Sequence, residues 1–204
     1  FFLSHYFRDR YDDAVRNLPS ISSPVKISKV EVWITNKRSN YDQSRNIVAF
    51  SDLAEHDHIY NSSMVSPNGA LSIPYNNSNT LYGILNQQFT GARDISTVNQ
   101  AISGTFVNGT EYEKVESARL LDPSEYTLNT QLGYISLKTQ LQADEVLGVA
   151  YNFTYSDGQT YQVGEFSTDN PASTNSCLYV KLLKGTAMSP GLPFWDLMMK
   201  NVYS

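Results

Sequence analysis

The stretch from Asp144 to Phe166, DEVLGVAYNFTYSDGQTYQVGEF, constrains the fold most. Leu147, Val149, Tyr151, Phe153 and Tyr155 recur at every second position, the period of a strand, and Asp157-Gly158 supplies the dipeptide that favours a tight turn. A β-hairpin is therefore expected. A second one is expected over Glu125–Leu137, EYTLNTQLGYISL, with Tyr126 and Leu128 facing one way, Gly133 permitting the turn, and Ile135 and Leu137 anchoring the return strand.

Further strands follow from the same pattern. In VKISKVEVWIT, Val30, Val32 and Ile34 share one face while Val25 and Ile27 fall in the opposite phase, so a bulge near Ser28 is expected. NIVAF reads as a short buried strand, and LYVKLL as another through Leu178, Val180 and Leu182. The stretch from Glu111 to Leu121 has the Glu, Lys and Ala content of a helix but strands on either side, and it is read as a strand.

Helices are expected at both ends. FFLSHYFRDRYDDAVRNLP places Leu3, Phe7, Tyr11, Ala14 and Leu18 on one stripe, spaces Asp12 and Arg16 for an ion pair, and stops at Pro19. PFWDLMMKNVYS reads as a helix from Pro193, with Phe194, Leu197 and Met198 on one side and Trp195, Met199 and Val202 displaced around the cylinder. A helix apolar on two sides needs two partners, and a neighbouring domain could be the second. Asn61–Gly104 is rich in Asn, Ser and Gly and reads as a loop-rich insertion with two short helices, one starting near Ser78 and one through Val98, Ala101 and Ile102. The expected fold is α+β, mostly antiparallel sheet built from hairpins, in one soluble domain spanning residues 1–204.

Of the 204 residues, 41% are hydrophobic and 17% charged, a globular balance rather than a disordered or coiled-coil one. The net charge of -5 and the lack of a basic stripe argue against nucleic acid as a partner. No apolar run approaches the roughly 18 residues that cross a bilayer. The chain begins at Phe1 with no signal sequence, which fits a piece cut from a longer protein.

Motifs for chemistry are sparse. In AEHDHIY an extended backbone would put His56 and His58 on one face, able to grip a transition metal, but the only other histidine is His5 and no third ligand is identifiable. Glu111, Glu113 and Glu116, and the pair Asp144 and Glu145, are the candidates for acid-base work, more simply read as a solvated strand edge or turn. Cys177, the lone cysteine, heads an apolar run and reads as a small buried hydrophobe. There is no G-x-S-x-G elbow, P-loop or G-x-G-x-x-G. No catalytic, cofactor-binding or metal-ligating residue is assigned, and no enzyme is expected. The 14 tyrosines fit core and sheet-face packing, although aromatic surfaces also bind sugars and proteins.

Taken in order, FFLSHYFRDRYDDAVRNLP, ISKVEVWITNKR, RNIVAFSDLAE, SEYTLNTQLGYISL, VLGVAYNFTYSDGQTYQVGEFS and PFWDLMMKNVYS resemble consecutive stretches of the SprA/Sov family, across nearly the whole chain. Those proteins are giant outer-membrane translocons of the type IX secretion system in Bacteroidetes, also tied to gliding motility. The resemblance implies a non-catalytic structural or interaction domain that does not itself span the membrane. It implies the translocon β-barrel and accessory secretion proteins as partners, with secreted cargo as a further candidate. It also implies a place in the cell envelope, on the extracellular or periplasmic side. It carries no cofactor and no catalytic residue. The alternative reading is a surface carbohydrate-binding or adhesive domain.

Overall fold

The computed structural model describes residues 1–200. Its strands are β1 (Val25–Ile34), β2 (Arg45–Phe50), β3 (Tyr112–Leu120), β4 (Tyr126–Asn129), β5 (Tyr134–Leu137), β6 (Leu147–Tyr155), β7 (Thr160–Val163) and β8 (Cys177–Lys184). Its helices are α1 (His5–Ala14), α2 (Leu81–Gln87) and α3 (Val98–Ile102). Strands run in the order β1-β3-β2-β8-β6, and β6 pairs back onto β1, so these five close a barrel. The fold is α+β and mostly β.

Strand β6 makes the closure possible. Nine residues long, it gives one edge to β1 from Leu147 to Tyr155 and divides the other, with Leu147–Val149 pairing to β8 and Tyr151–Thr154 to β7. Its turn into β7 is the expected Asp157-Gly158, with Gly158 at φ +81 and the Asp157 carboxylate accepting from Gln159 N and Tyr161 Oη. All ladders are antiparallel except β2 with β8, parallel from Asn46 opposite Cys177 to Phe50 opposite Lys181. Strand β8 is buried along its whole length, as a strand covered on both faces must be.

The register of β1 shifts between Ile27 and Lys29, which puts the bulge at Ser28 and reconciles the two phases of its sequence. A second irregularity lies in β3, where Ser117 takes φ +48 and its N–H donates to Asn46 Oδ1. The β-strand outcome for this stretch follows from burial: Tyr112, Val115 and Ala118 enter the core, which outweighs a helix-leaning composition.

Strands β4 and β5 form a separate two-stranded sheet. Residues 1–3 lengthen it: Ile135 N donates to Phe1 O and Leu3 N to Gly133 O, while Phe2 bridges Tyr134. Helix α1 then buries His5, Phe7 and Ala14, and the Phe7 ring lies directly against Gly133. The stripe ends there. Leu18 falls beyond the helix and is 66% exposed, and Arg16 pairs with Asp13 rather than Asp12, the i,i+3 neighbour.

The expected C-terminal helix is replaced, over the described residues, by a single 3-10 turn at Trp195–Leu197. Phe194 and Leu197 are its buried anchors. Leu197 O accepts from Phe2 N at 2.8 Å, so the carbonyl that a continuing helix would use is committed to the first strand segment. Residues 201–204 of the expected helix lie outside the described residues.

The insertion carries its two helices, but Ser78 does not cap the first; it is buried, and Thr80 holds the N-cap position. Nor is the segment peripheral. Leu81, Leu85, Val98 and Ile102 join the same apolar core as the barrel, and Tyr82 meets the Tyr179 ring edge-on. Polar loops can carry this packing because most of their apolar residues point inward, Leu71 at 40% exposure being an exception. Among the described residues, no helix is long and apolar enough to cross a membrane.

Candidate functional site

The chain's histidines meet at the foot of α1, although no strand presents them. Residues 51–60 form an irregular loop with Ala54 at φ +61. His58 Nε2 lies 2.5 Å from Asp9 Oδ2, and its ring stacks on that of His5 at 4.7 Å between centroids and 21° between planes. His5 Nδ1 is 2.9 Å from Glu55 Oε1, and His56 Nδ1 is 2.6 Å from Asp57 Oδ1. Each imidazole thus already has a carboxylate partner. Among the described residues, no group of three or more His, Cys, Asp or Glu side chains is placed to hold a metal ion.

Glu55 is the centre of this cluster. Besides His5, it takes Lys181 Nζ at 2.9 Å, and that ammonium also donates to Ser51 O. Both side chains are buried. Burial alone would raise the Glu55 carboxyl, but the charge of Lys181 and the hydrogen bond and charge of His5 more than offset it and hold it at about 2. Asn79 Nδ2 donates to both Asp52 O and Glu55 O, and the Asp52 carboxylate receives Tyr60 N and Asn61 N. The cluster therefore fastens α1, the 51–61 loop and β8 to one another. The signal for it was present in LYVKLL: a lysine inside a strand buried on both faces must find a counter-charge.

A second buried carboxylate does similar work between the insertion and the barrel. Glu165 accepts from Tyr82 Oη at 2.8 Å, from both Arg93 terminal nitrogens at 2.6 and 2.8 Å, and from Tyr179 N at 2.9 Å. The Arg93 guanidinium also lies 3.7 Å from the Tyr179 ring centroid. Burial, followed by the Glu165 charge and hydrogen bond, pushes the Tyr82 phenol up to about 12. A carboxylate with so many donors holds elements together and has no lone pair to offer a substrate.

The carboxylates considered for acid-base work are likewise engaged separately. Glu111 Oε2 accepts from Val107 N, Glu113 Oε1 from Thr186 N and Oγ1, and Glu145 Oε2 from Gln142 N. Glu116 pairs with Lys114 at 3.1 Å and Asp144 with Lys37 at 2.6 Å. Cys177 is fully buried, and burial pushes its thiol up to about 12, so it behaves as the small hydrophobe its position suggests.

The concave feature best suited to a ligand lies elsewhere. Strands β1 and β3 overlap by only two residue pairs, Trp33 with Leu120 and Ile34 with Arg119. The short seam leaves a cleft between the barrel and the β4–β5 hairpin, with a cavity volume of about 160 Å³. Its apolar floor is Ile34, Leu121, Leu137 and Leu141. Mouths of β-barrels are common ligand sites. These four residues span more than a hundred positions of the chain, and no local pattern links them.

The tyrosines divide by position. Tyr112, Tyr151 and Tyr179 are fully buried, whereas Tyr75, Tyr155 and Tyr161 form a half-buried group with ring centroids 5.4 Å apart for Tyr75–Tyr161 and 6.4 Å for Tyr155–Tyr161. A scan of protein-family models and a search of curated proteins each return no match to this chain.

Proposed function

We propose that this chain is a non-catalytic structural and interaction domain of an outer-membrane protein-export translocon of the type IX secretion and gliding class. The observation that carries the non-catalytic part is the commitment of its buried carboxylates: Glu55, Glu165 and Glu113 each hold separate elements together. The translocon part rests on the sequence resemblance. On this reading the partners are the translocon barrel, its accessory proteins and its cargo, and the domain lies in the cell envelope, on the extracellular rather than the periplasmic side.

In-cell crosslinking tests this reading, with photo-reactive residues placed singly at the exposed positions Tyr41, Tyr60 and Val107 of the full-length protein. Translocon subunits or secreted cargo are the expected captures. Secretion that survives deletion of residues 1–204, with neither class captured, would overturn it.

The aromatic group at Tyr75, Tyr155 and Tyr161 favours a second reading, a surface carbohydrate-binding or adhesive domain. Asp157 adjoins it, its carboxylate accepting from Tyr161 Oη. On that reading glycan titration gives saturable binding that Tyr161→Ala weakens about fivefold, since ring contacts of this kind contribute on the order of 1 kcal/mol. Absence of saturation across a glycan panel would remove it.

A further inference from the structure

We propose that the cleft at the β1–β3 seam is a binding site for a small amphiphilic carboxylate, with an apolar body of about six to eight carbons and one anionic head. The inference does not rest on the proposed function; it would hold for this domain in any parent protein.

Size sets the body. A cavity of about 160 Å³ matches the engineered apolar cavity of roughly 150 Å³ that takes up benzene. A ring or a short aliphatic chain therefore fills it, and a full-length lipid tail does not. Ile34 and Leu121 are buried at its base, while Leu137 and Leu141 remain partly accessible and would be covered by a ligand.

Charge sets the head. Lys37, Arg38 and Arg119 stand on the rim of this floor. Arg119 is committed to Glu125 at 2.7 Å, whereas Arg38 reaches the same carboxylate only at 3.5 Å and its side chain is 64% exposed. Lys37 meets Asp144 in a pair open to solvent on both sides. Such exposed pairs are held weakly, so an incoming anion can take these two cations at little cost. The other rim carboxylate, Glu145, accepts from Gln142 N and sits beside Lys184, whose Nζ donates to Glu145 O. The guanidinium fork of Arg38 fits the two oxygens of a carboxylate, which selects that head group over a neutral or cationic one.

The test is a methyl NMR titration of the folded chain with octanoate, and with octylamine as its cationic counterpart. Octanoate is expected to shift the methyl signals of Ile34, Leu121, Leu137 and Leu141 saturably, with Kd of about a millimolar, as befits some ten heavy atoms. Octylamine is expected to bind at least tenfold more weakly. The double variant Lys37→Glu, Arg38→Glu alters exposed side chains only, and it should weaken octanoate at least tenfold and reverse the preference between the two ligands. The proposal is overturned if octanoate gives no saturable shift by about 10 mM, if the shifts map away from the cleft, or if octylamine binds equally well.

Discussion

Glu55→Gln is expected to destabilise the fold by about 3–5 kcal/mol, the cost of breaking a buried ion pair and leaving one charge without its partner. At this chain length that corresponds to a fall in Tm of roughly 10–15 °C. The substitution keeps the shape of the side chain but removes the negative charge that faces Lys181 at 2.9 Å and His5 at 2.9 Å. Lys181 is buried in β8, so its ammonium keeps the Ser51 carbonyl and the new amide oxygen as acceptors but loses the carboxylate charge that balances it. Adding Lys181→Met should recover most of the loss, because replacing both members of a buried pair by neutral groups is far less costly than removing one. Urea denaturation of the two single variants and the double variant measures this. A loss below about 1 kcal/mol for Glu55→Gln, no larger than many surface substitutions produce, would mean the pair is not what fastens α1 and the 51–61 loop to the barrel.

The same pair sets a pH dependence. The Glu55 carboxyl is held at about 2 in the folded chain against an ordinary value of 4.5, so the folded state favours its ionised form. That contribution is complete above pH 4.5 and is lost as pH falls toward 2. Stability of the unsubstituted chain should therefore decline across this window, and Glu55→Gln should flatten that part of the curve.

Gly133→Ala is the second large effect, at about 2–5 kcal/mol. Gly133 holds φ +67 at the β4–β5 turn, and a Cβ there would lie 2.2 Å from the Phe7 ring. The left-handed backbone contributes roughly 1–2 kcal/mol of this, and the forced repacking of a buried ring about 1–3 kcal/mol. Gly158→Ala separates the two contributions, since Gly158 has φ +81 but no atom within 4 Å of its would-be Cβ, and only the backbone part should appear. Shortening the ring with Phe7→Leu should rescue part of Gly133→Ala, seen as a coupling of at least about 0.5 kcal/mol in a double-mutant cycle. Strict additivity would mean the ring and the turn are not in contact.

These effects show how differently the parts of the molecule could be read from sequence. The β6–β7 and β4–β5 hairpins were legible because period-two alternation and turn glycines act over a few residues. The bulge at Ser28 was legible too, as a change of phase within ten residues. The C-terminal helix was misread because Phe194 and Leu197 have helical spacing, yet one 3-10 turn is enough to bury both. The α1 stripe was read one turn too far, since Leu18 matches the period but has no core beneath it. The histidine cluster was only half visible, because His56 and His58 are neighbours in the chain whereas His5 and Glu55 come together through docking of α1.

The sequence by itself determined which segments extend and where they turn, since steric preference and side-chain alternation are local properties of the backbone. It also showed no long apolar run, which is a matter of composition. Only the tertiary structure decided that five of the strands close into a barrel, that β2 and β8 run parallel, and that Lys181 finds Glu55. Those pairings join residues far apart in the chain, and their free energy depends on which faces are left uncovered after every element has packed. The cleft at the β1–β3 seam belongs to the same class: it exists because two strands overlap by two residue pairs and no more.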